Sequence, residues 1–467
     1  MGGAVQSAGG HAELTARRAR APRRAAARPG RGARQLDSAR TAAFQILQDV
    51  EGGAYADRAA ERRLAGVPPA ERRLAMELAY GCIRLRSRLD TELTELADRP
   101  LSRLDGPVLL WLRLGLYQLH ETRVPGHAAV HESVEGVRRS VGARAAGFAN
   151  AVLRAGARLD PAERLVLFPS LDIDLVGHLS TFGSHPEWLV RRWLERYSRE
   201  SVIRLVELDN RPPPVMLRTL DPVADERADR EPRLTALNRF PGSWELRSGD
   251  PSGLLARLPA IVQDPAASAV VEYVGPLSAG PAIDVCAAPG GKAIALASRG
   301  EAVPYVAADR SRPRLERAVR AASALGVDLI PLVADGRSPP LRPASTVLLD
   351  VPCLGTGVLR RRADARWRAG PARLAALVRL QRQLLDAAVD LVEPGGLLVY
   401  ATCSLESEEN DEQVSGFLTR HPEFVREPAP EGLAIPPELI GPNEELRVLP
   451  WQRGTDGSFA ARLRRSA

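Results

Sequence analysis

Two cysteines stand where a thiol can do chemistry. Cys353 closes Asp350-Val-Pro-Cys353, and Cys403 lies in Ala401-Thr-Cys-Ser404. Each follows a short apolar run that reads as a β-strand. A thiolate placed there can add to an electron-poor carbon, provided its surroundings lower its pKa. A lone cysteine is more commonly a small buried hydrophobe, and that reading suits Cys82 and Cys286. A redox disulfide is a further reading of the Cys353 and Cys403 pair. A third stretch, Asp284-Val-Cys-Ala-Ala-Pro-Gly-Gly-Lys292, runs from strand through a glycine turn into a helix. Glycines admit positive φ and a close backbone approach. The helix start offers unpaired N–H groups and partial positive charge. Asp309 follows Gly290 by 19 residues, the usual distance for a carboxylate that takes ribose hydroxyls. NAD and S-adenosylmethionine both satisfy such a site. The thiols separate them: a hydride enzyme needs no cysteine at two strand ends, whereas methylation of pyrimidine carbon 5 needs a nucleophile at carbon 6.

The elements that position these residues alternate in type. Strands are expected at Ile283–Cys286, Val303–Ala308, Asp328–Val333, Thr346–Leu349 and Leu397–Tyr400. Helices are expected at Pro313–Leu325 and Ala372–Val392, the second capped by Pro394-Gly-Gly396. In a parallel sheet the carboxyl ends line one crevice. Gly290, Asp309, Asp335, Asp350, Cys353 and Cys403 should therefore converge. Before this region, residues 38–154 carry helical periodicity for five or six helices and no strand alternation. Helices continue to about Leu220, with Trp188, Leu189 and Trp193 on an apolar face. Residues 213–262 read as short strands broken by Pro and Gly.

The chain has 467 residues, enough for roughly two to four domains. Its apolar share is 45% and its charged share 26%, as in a soluble globular protein. No stretch approaches the ~18 uncharged residues of a membrane span. No apolar signal segment opens the chain. With four cysteines at no zinc-like or disulfide-framework spacing, a reducing cytoplasm is expected. His127 and His131 sit four apart without a third ligand, so no metal is expected. The formal charge of +7 equals that of residues 1–40, nine Arg against Glu13 and Asp37. That segment reads as a disordered Arg-rich tail able to meet RNA phosphates. Of 64 basic side chains, Lys292 is the only lysine. Retaining it in an Arg-rich chain suggests that the glycine loop needs a compact ammonium.

Asp284–Lys292, Asp350-Val-Pro-Cys-Leu-Gly-Thr-Gly357 and Tyr400-Ala-Thr-Cys-Ser404 resemble the signature motifs of the Nol/Nop/Sun family, RNA 5-methylcytosine methyltransferases. Glu77-Leu-Ala-Tyr-Gly81, Leu114-Gly-Leu-Tyr-Gln-Leu119 and Asn150-Ala-Val-Leu-Arg154 resemble the NusB domain. The resemblance implies an α/β protein: a Rossmann-like doubly wound methyltransferase sheet at 261–467, preceded by an all-α NusB-like RNA-binding domain at 36–165. A linker or RNA-binding module at 166–260 joins them, and the tail occupies 1–35. It implies methyl transfer from S-adenosylmethionine to carbon 5 of a cytosine in small-subunit ribosomal RNA, by a monomer acting without metal or membrane. It implies Cys403 as nucleophile, Cys353 in release of the base, and Asp350 on the cytosine ring edge. Cys286, Ala287, Ala288, Pro289, Gly290, Gly291, Lys292, Asp309, Asp335 and Asp350 would bind the cofactor. By likeness to DNA cytosine methyltransferases the two thiol roles could be exchanged. Leu354 stands where the family has Ser, Ala363 where it has Pro, and Gly457-Ser-Phe459 replaces a more aromatic ending. The run Arg360-Arg-Arg-Ala-Asp-Ala-Arg-Trp367 is expected to meet RNA phosphates and to stack a base on Trp367.

Overall fold

The computed structural model describes residues 38–299 and 304–467. The Arg-rich segment 1–35 lies outside the described residues. Helices Ser38–Glu51, Ala56–Leu64, Pro69–Arg84, Arg86–Leu96, Gly106–Glu121, Gly126–Ser140 and Ala143–Gly156 form a bundle. They outnumber the five or six expected, because Leu85 alone separates Pro69–Arg84 from Arg86–Leu96. The bundle closes on glycines opposite aromatic rings. A Cβ on Gly81 would lie 1.9 Å from the Tyr117 ring, and one on Gly136 would lie 2.4 Å from Trp111. Trp111 stacks on Phe44 with ring centroids 4.8 Å apart. The Tyr117 hydroxyl donates to Glu77 at 2.5 Å, so the Glu77–Gly81 and Leu114–Leu119 stretches meet in space.

Helices Glu187–Arg196 and Arg199–Asn210 bury Leu189, Val190, Trp193, Val202, Leu205 and Val206 in one apolar cluster. Complete burial of a side chain such as Leu189 contributes about 1.5–3 kcal/mol. Leu359 and Leu405 complete this cluster, so the loops that carry the thiols rest on these helices. The broken stretch that follows folds as β1 (Val215–Thr219), β2 (Leu234–Ala236), β3 (Ser243–Leu246) and β4 (Ala260–Val262), in the order β2-β3-β1-β4.

The second sheet contains β5 (Ala282–Asp284), β6 (Tyr305–Asp309), β7 (Ile330–Val333), β8 (Ala344–Asp350), β9 (Val392–Thr402), β10 (Phe424–Arg426), β11 (Leu446–Val448) and β12 (Ser458–Arg465). Its order is β10-β12-β9-β8-β5-β6-β7, with β11 beside β12. Strands β5 to β9 pair in parallel, while β12 runs antiparallel to β9. The order reverses between β5 and β8, which puts the ligand crevice at their carboxyl ends. Strand β9 begins at Val392, earlier than expected. Pro394-Gly395-Gly396 therefore lies within it, where the β8 register shifts between Ala344 and Thr346, and does not cap the preceding helix. That helix, Pro371–Ala388, gives way to a 3₁₀ turn over Val389–Leu391. Among the described residues no helix is long and apolar enough to cross a membrane.

The run Arg360–Trp367 corrects its expected role. Trp367 donates its indole N–H to the Ile83 carbonyl at 2.6 Å and packs against the bundle core, to which Ala363 belongs. Buried Arg366 donates to the carbonyls of Arg84, Ser184 and Asp209 and to the Asn210 side chain. Burial brings its pKa down to about 9, while Asp209 acts the other way. Arg360 is engaged by the carbonyls of Arg211, Pro212 and Gly454. Arg361 pairs with Asp264 and Asp456 at 2.6 and 2.8 Å. Trp367 and Arg366 thereby tie the β8 loop to the bundle, and Arg360 and Arg361 tie it to the segments at 211–214, 264 and 454–456. Arg362 alone of the three consecutive arginines keeps an exposed side chain with no hydrogen bond or ion pair among the described residues.

Candidate active site

The loop after β5 is held flat. Gly290 adopts φ +104°, and a Cβ there would come within 2.6 Å of the Ala318 methyl group. The helix it opens, Gly291–Ala297, has no side-chain cap, so its first N–H groups have no side-chain acceptor. Asp309, at the end of β6, fixes this loop: its carboxylate accepts the Ala288 N–H at 3.1 Å and the Ser311 N–H at 2.7 Å. It is buried. Lys292 reaches across from the glycine loop to Asp350 at the end of β8, with Nζ 2.7 Å from Oδ2.

The loops after β8 and β9 bring the two free thiols together, with Cys353 Sγ 3.4 Å from Cys403 Sγ. Backbone contacts lock this approach. Gly357 donates its N–H to the Cys403 carbonyl at 3.0 Å, and Gly457 donates to the Gly357 carbonyl at 2.7 Å. A Cβ on Gly357 would meet Cys403 O at 2.9 Å and Gly457 Cα at 2.9 Å. Both neighbours are backbone, so neither can swing aside. Gly357→Ala is therefore expected to displace Cys403. An ångström of misplacement lowers kcat by about a hundredfold, and cofactor affinity should change little. Steady-state kinetics beside equilibrium cofactor binding checks this; unchanged kcat would show that the loop tolerates the shift.

Behind Cys353, fully buried Glu409 accepts the Leu354 N–H at 2.9 and 3.1 Å and the Gln381 amide at 2.8 Å. Gln381 also donates to the Pro352 carbonyl at 3.0 Å. Behind Cys403, Asn410 donates to the Ser404 carbonyl and accepts from Thr402. The loop continues into buried Glu406, held by Arg192 at 2.7 Å, Trp193 at 3.2 Å and Arg196 at 3.3 Å.

The two thiols differ in acidity. The hydrogen bond shared with Cys353 holds Cys403 below the ordinary thiol value, and Arg362 and Lys292 act the same way against burial and Asp350. The same bond, together with burial, raises Cys353 well above that value. Burial pushes Cys286 up and keeps it a neutral thiol. Asp284, fully enclosed at the end of β5, is pushed up to about 8 by burial and then by Asp350. Two thiols in contact and the Lys292–Asp350 ion pair thus meet at the ends of β5, β8 and β9.

Comparison with known proteins gives this arrangement a family. A model described as 16S rRNA methyltransferase RsmB/F matches residues 275–464, and one described as the NusB family matches residues 37–158. The ribosomal RNA small subunit methyltransferase B of Vibrio vulnificus is 32% identical over 449 residues, 92% of this chain and 99% of the relative. The chain belongs to the RsmB/F methyltransferase family. A Mycobacterium tuberculosis protein is 37% identical over 96% of this chain and 99% of its own length. The fold matches the crystal structure of PH0851 with a TM-score of 0.75 at 21% identity, over 91% of this chain and 98% of that one. It also matches NSun6 from Pyrococcus horikoshii with SFG, at a TM-score of 0.50 and 19% identity, over 60% of this chain and 98% of that one.

In this RsmB/F member the expected convergence holds for the loop of Gly290 and Lys292 and for Asp350, Cys353 and Cys403. Asp309 joins them from beneath, with both carboxylate oxygens already accepting backbone N–H groups. Asp335 stays at the rim. Its carboxylate pairs with Arg337 at 2.6 Å on the surface, and that hydrogen bond lowers its pKa to about 2. The neighbouring Gly336 packs so closely that a Cβ would meet Val285 and Leu384 at 2.7 and 2.8 Å. Glu409, Gln381 and Asp456 were not singled out by sequence reading, and Arg362 was read only as part of its basic run. Glu409 belongs to an acidic run, Glu406-Ser-Glu-Glu409, whose composition suggests a solvated surface. Arg362 is indistinguishable in sequence from its engaged neighbours.

Proposed function

We propose that this chain methylates carbon 5 of a cytosine in small-subunit ribosomal RNA, using S-adenosylmethionine. The observation that carries this reading is the 3.4 Å thiol pair beside the Lys292–Asp350 bridge. The uncapped helix start at Gly291 and the flat Gly290 turn suit a ligand with a carboxylate. Asp309 has lone pairs left for ribose hydroxyls. Bound S-adenosylmethionine supplies an electrophilic methyl group.

The target base leaves its stack to reach the crevice. The Cys403 thiolate adds to carbon 6, which makes carbon 5 nucleophilic. Asp350, steadied by Lys292, holds the polar edge of the ring and favours that addition. After methylation, carbon 5 loses its proton, the Cys403–carbon 6 bond breaks, and Cys353 assists release of the base. The positive charges of Arg362 and Lys292 favour an ionised Cys403, which supports it as the attacking sulfur. Bisulfite sequencing of small-subunit ribosomal RNA from cells with and without the gene tests the reading. One cytosine should lose its protection when the gene is removed. An unchanged pattern, with no radiolabelled methyl incorporation by the purified protein, rejects it.

A further inference from the structure

Tyr55 lies between two residues pinned to the catalytic half of the chain. Arg368 donates to the Ala54 carbonyl, and the Ala56 N–H donates to Asp364 at 3.2 Å. Asp364 also pairs with Arg368 at 3.0 Å. Tyr55 is thus fixed on the seam between the helical bundle and the sheet, yet its side chain points outward and is 48% exposed. Guanidinium groups surround it. Arg368 lies 4.1 Å from the ring centroid and Arg58 lies 5.8 Å from it. Arg373 stands beside the hydroxyl and lowers its pKa. Arg58, Arg362 and Arg373 are all exposed. Arg362 lies within electrostatic reach of Cys403, then Asp57 and Cys353.

A joint that served only to hold two domains would bury the ring. Here four arginines, set against Asp57 and Asp364, leave the seam positive around a half-exposed aromatic ring. Single-stranded RNA is held by this combination, with guanidinium groups on phosphates and a base stacked on an aromatic ring. Arg58, the looser of the two cations, can move aside for a base. We propose that Tyr55, Arg58, Arg368 and Arg373 form a platform that seats the RNA strand flanking the target base, with Arg362 taking the phosphate nearest the thiols. This rests on the RNA methyltransferase reading above and adds the place where the strand lies.

The test uses the full chain and in vitro transcribed small-subunit ribosomal RNA, with kinetics, fluorescence anisotropy over a salt series, and thermal unfolding. Tyr55→Ala should raise the KM for RNA about tenfold and leave kcat and cofactor affinity near wild type. Tyr55→Phe, which keeps the ring, should bind RNA almost as the parent does. Arg58→Ala and Arg373→Ala should each weaken RNA binding and reduce the slope of log Kd against log salt by about one. Unchanged KM and slope would overturn the platform. So would a Tyr55→Ala protein with a lower unfolding midpoint and lower kcat at unchanged KM, because Tyr55 would then only brace the joint. Failure of the wild-type protein itself to bind or methylate RNA would instead remove the parent reading.

Discussion

Replacing Cys403 with alanine is expected to lower methyl transfer by on the order of 10⁴-fold or more, because the carbon 6 adduct can no longer form. Cofactor affinity should persist, since the flat turn at Gly290 and the uncapped helix start do not depend on the sulfur. The pH profile adds a sharper expectation. The Cys353 hydrogen bond lowers the Cys403 pKa, with help from Arg362 and Lys292. A lowered thiol pKa means that thiolate is already populated below the ordinary value of about 8.5. Single-turnover rates should rise with pH about a midpoint below that of an ordinary thiol. They should fall on the acid side as Cys403 takes up its proton. In Cys353→Ala the donor is gone, so the pH dependence of Cys403 alkylation should move to higher pH. Full activity in Cys403→Ala would remove this residue as nucleophile, and alkylation profiles that coincide would deny the thiol coupling.

The second large effect is a trapped intermediate. Cys353→Ala leaves the attacking sulfur in place and removes the group that assists its departure. The protein should accumulate as a covalent complex with RNA, seen as a slow-migrating band on a denaturing gel. The band should require both RNA and cofactor, and it should vanish in the Cys353→Ala, Cys403→Ala double variant. Turnover should fall by about 10²–10⁴-fold, the range for a positioned proton-transfer group. A band that survives in the double variant would place the bond on another residue. A Cys353→Ala protein that turns over normally would leave Cys353 with no part in release.

That two thiols would meet beside the glycine turn was open to reading from residue type and position relative to strand ends, whereas the separate role of each thiol came from the family resemblance. A thiol just past a parallel strand faces the crevice wherever the strand lies in the sheet. The glycine turn and the lone lysine are legible for the same reason: their local conformation needs those residues. The helical character of residues 38–154 follows from periodicity, although Leu85 hides one break.

What the tertiary structure decided concerns partners distant in the chain. Trp367 carries every mark of a stacking residue, yet it donates to Ile83, 284 residues away. Arg360, Arg361 and Arg362 are the same side chain three times over, and only the packing of the bundle against the β8 loop leaves the third one free. Glu409 sits in an acidic run but is enclosed behind Cys353. Periodicity and motif spacing report the conformation of a segment and which of its faces is apolar. They do not report which remote backbone groups a buried charge must satisfy, because that is settled only when the separate elements close on one another.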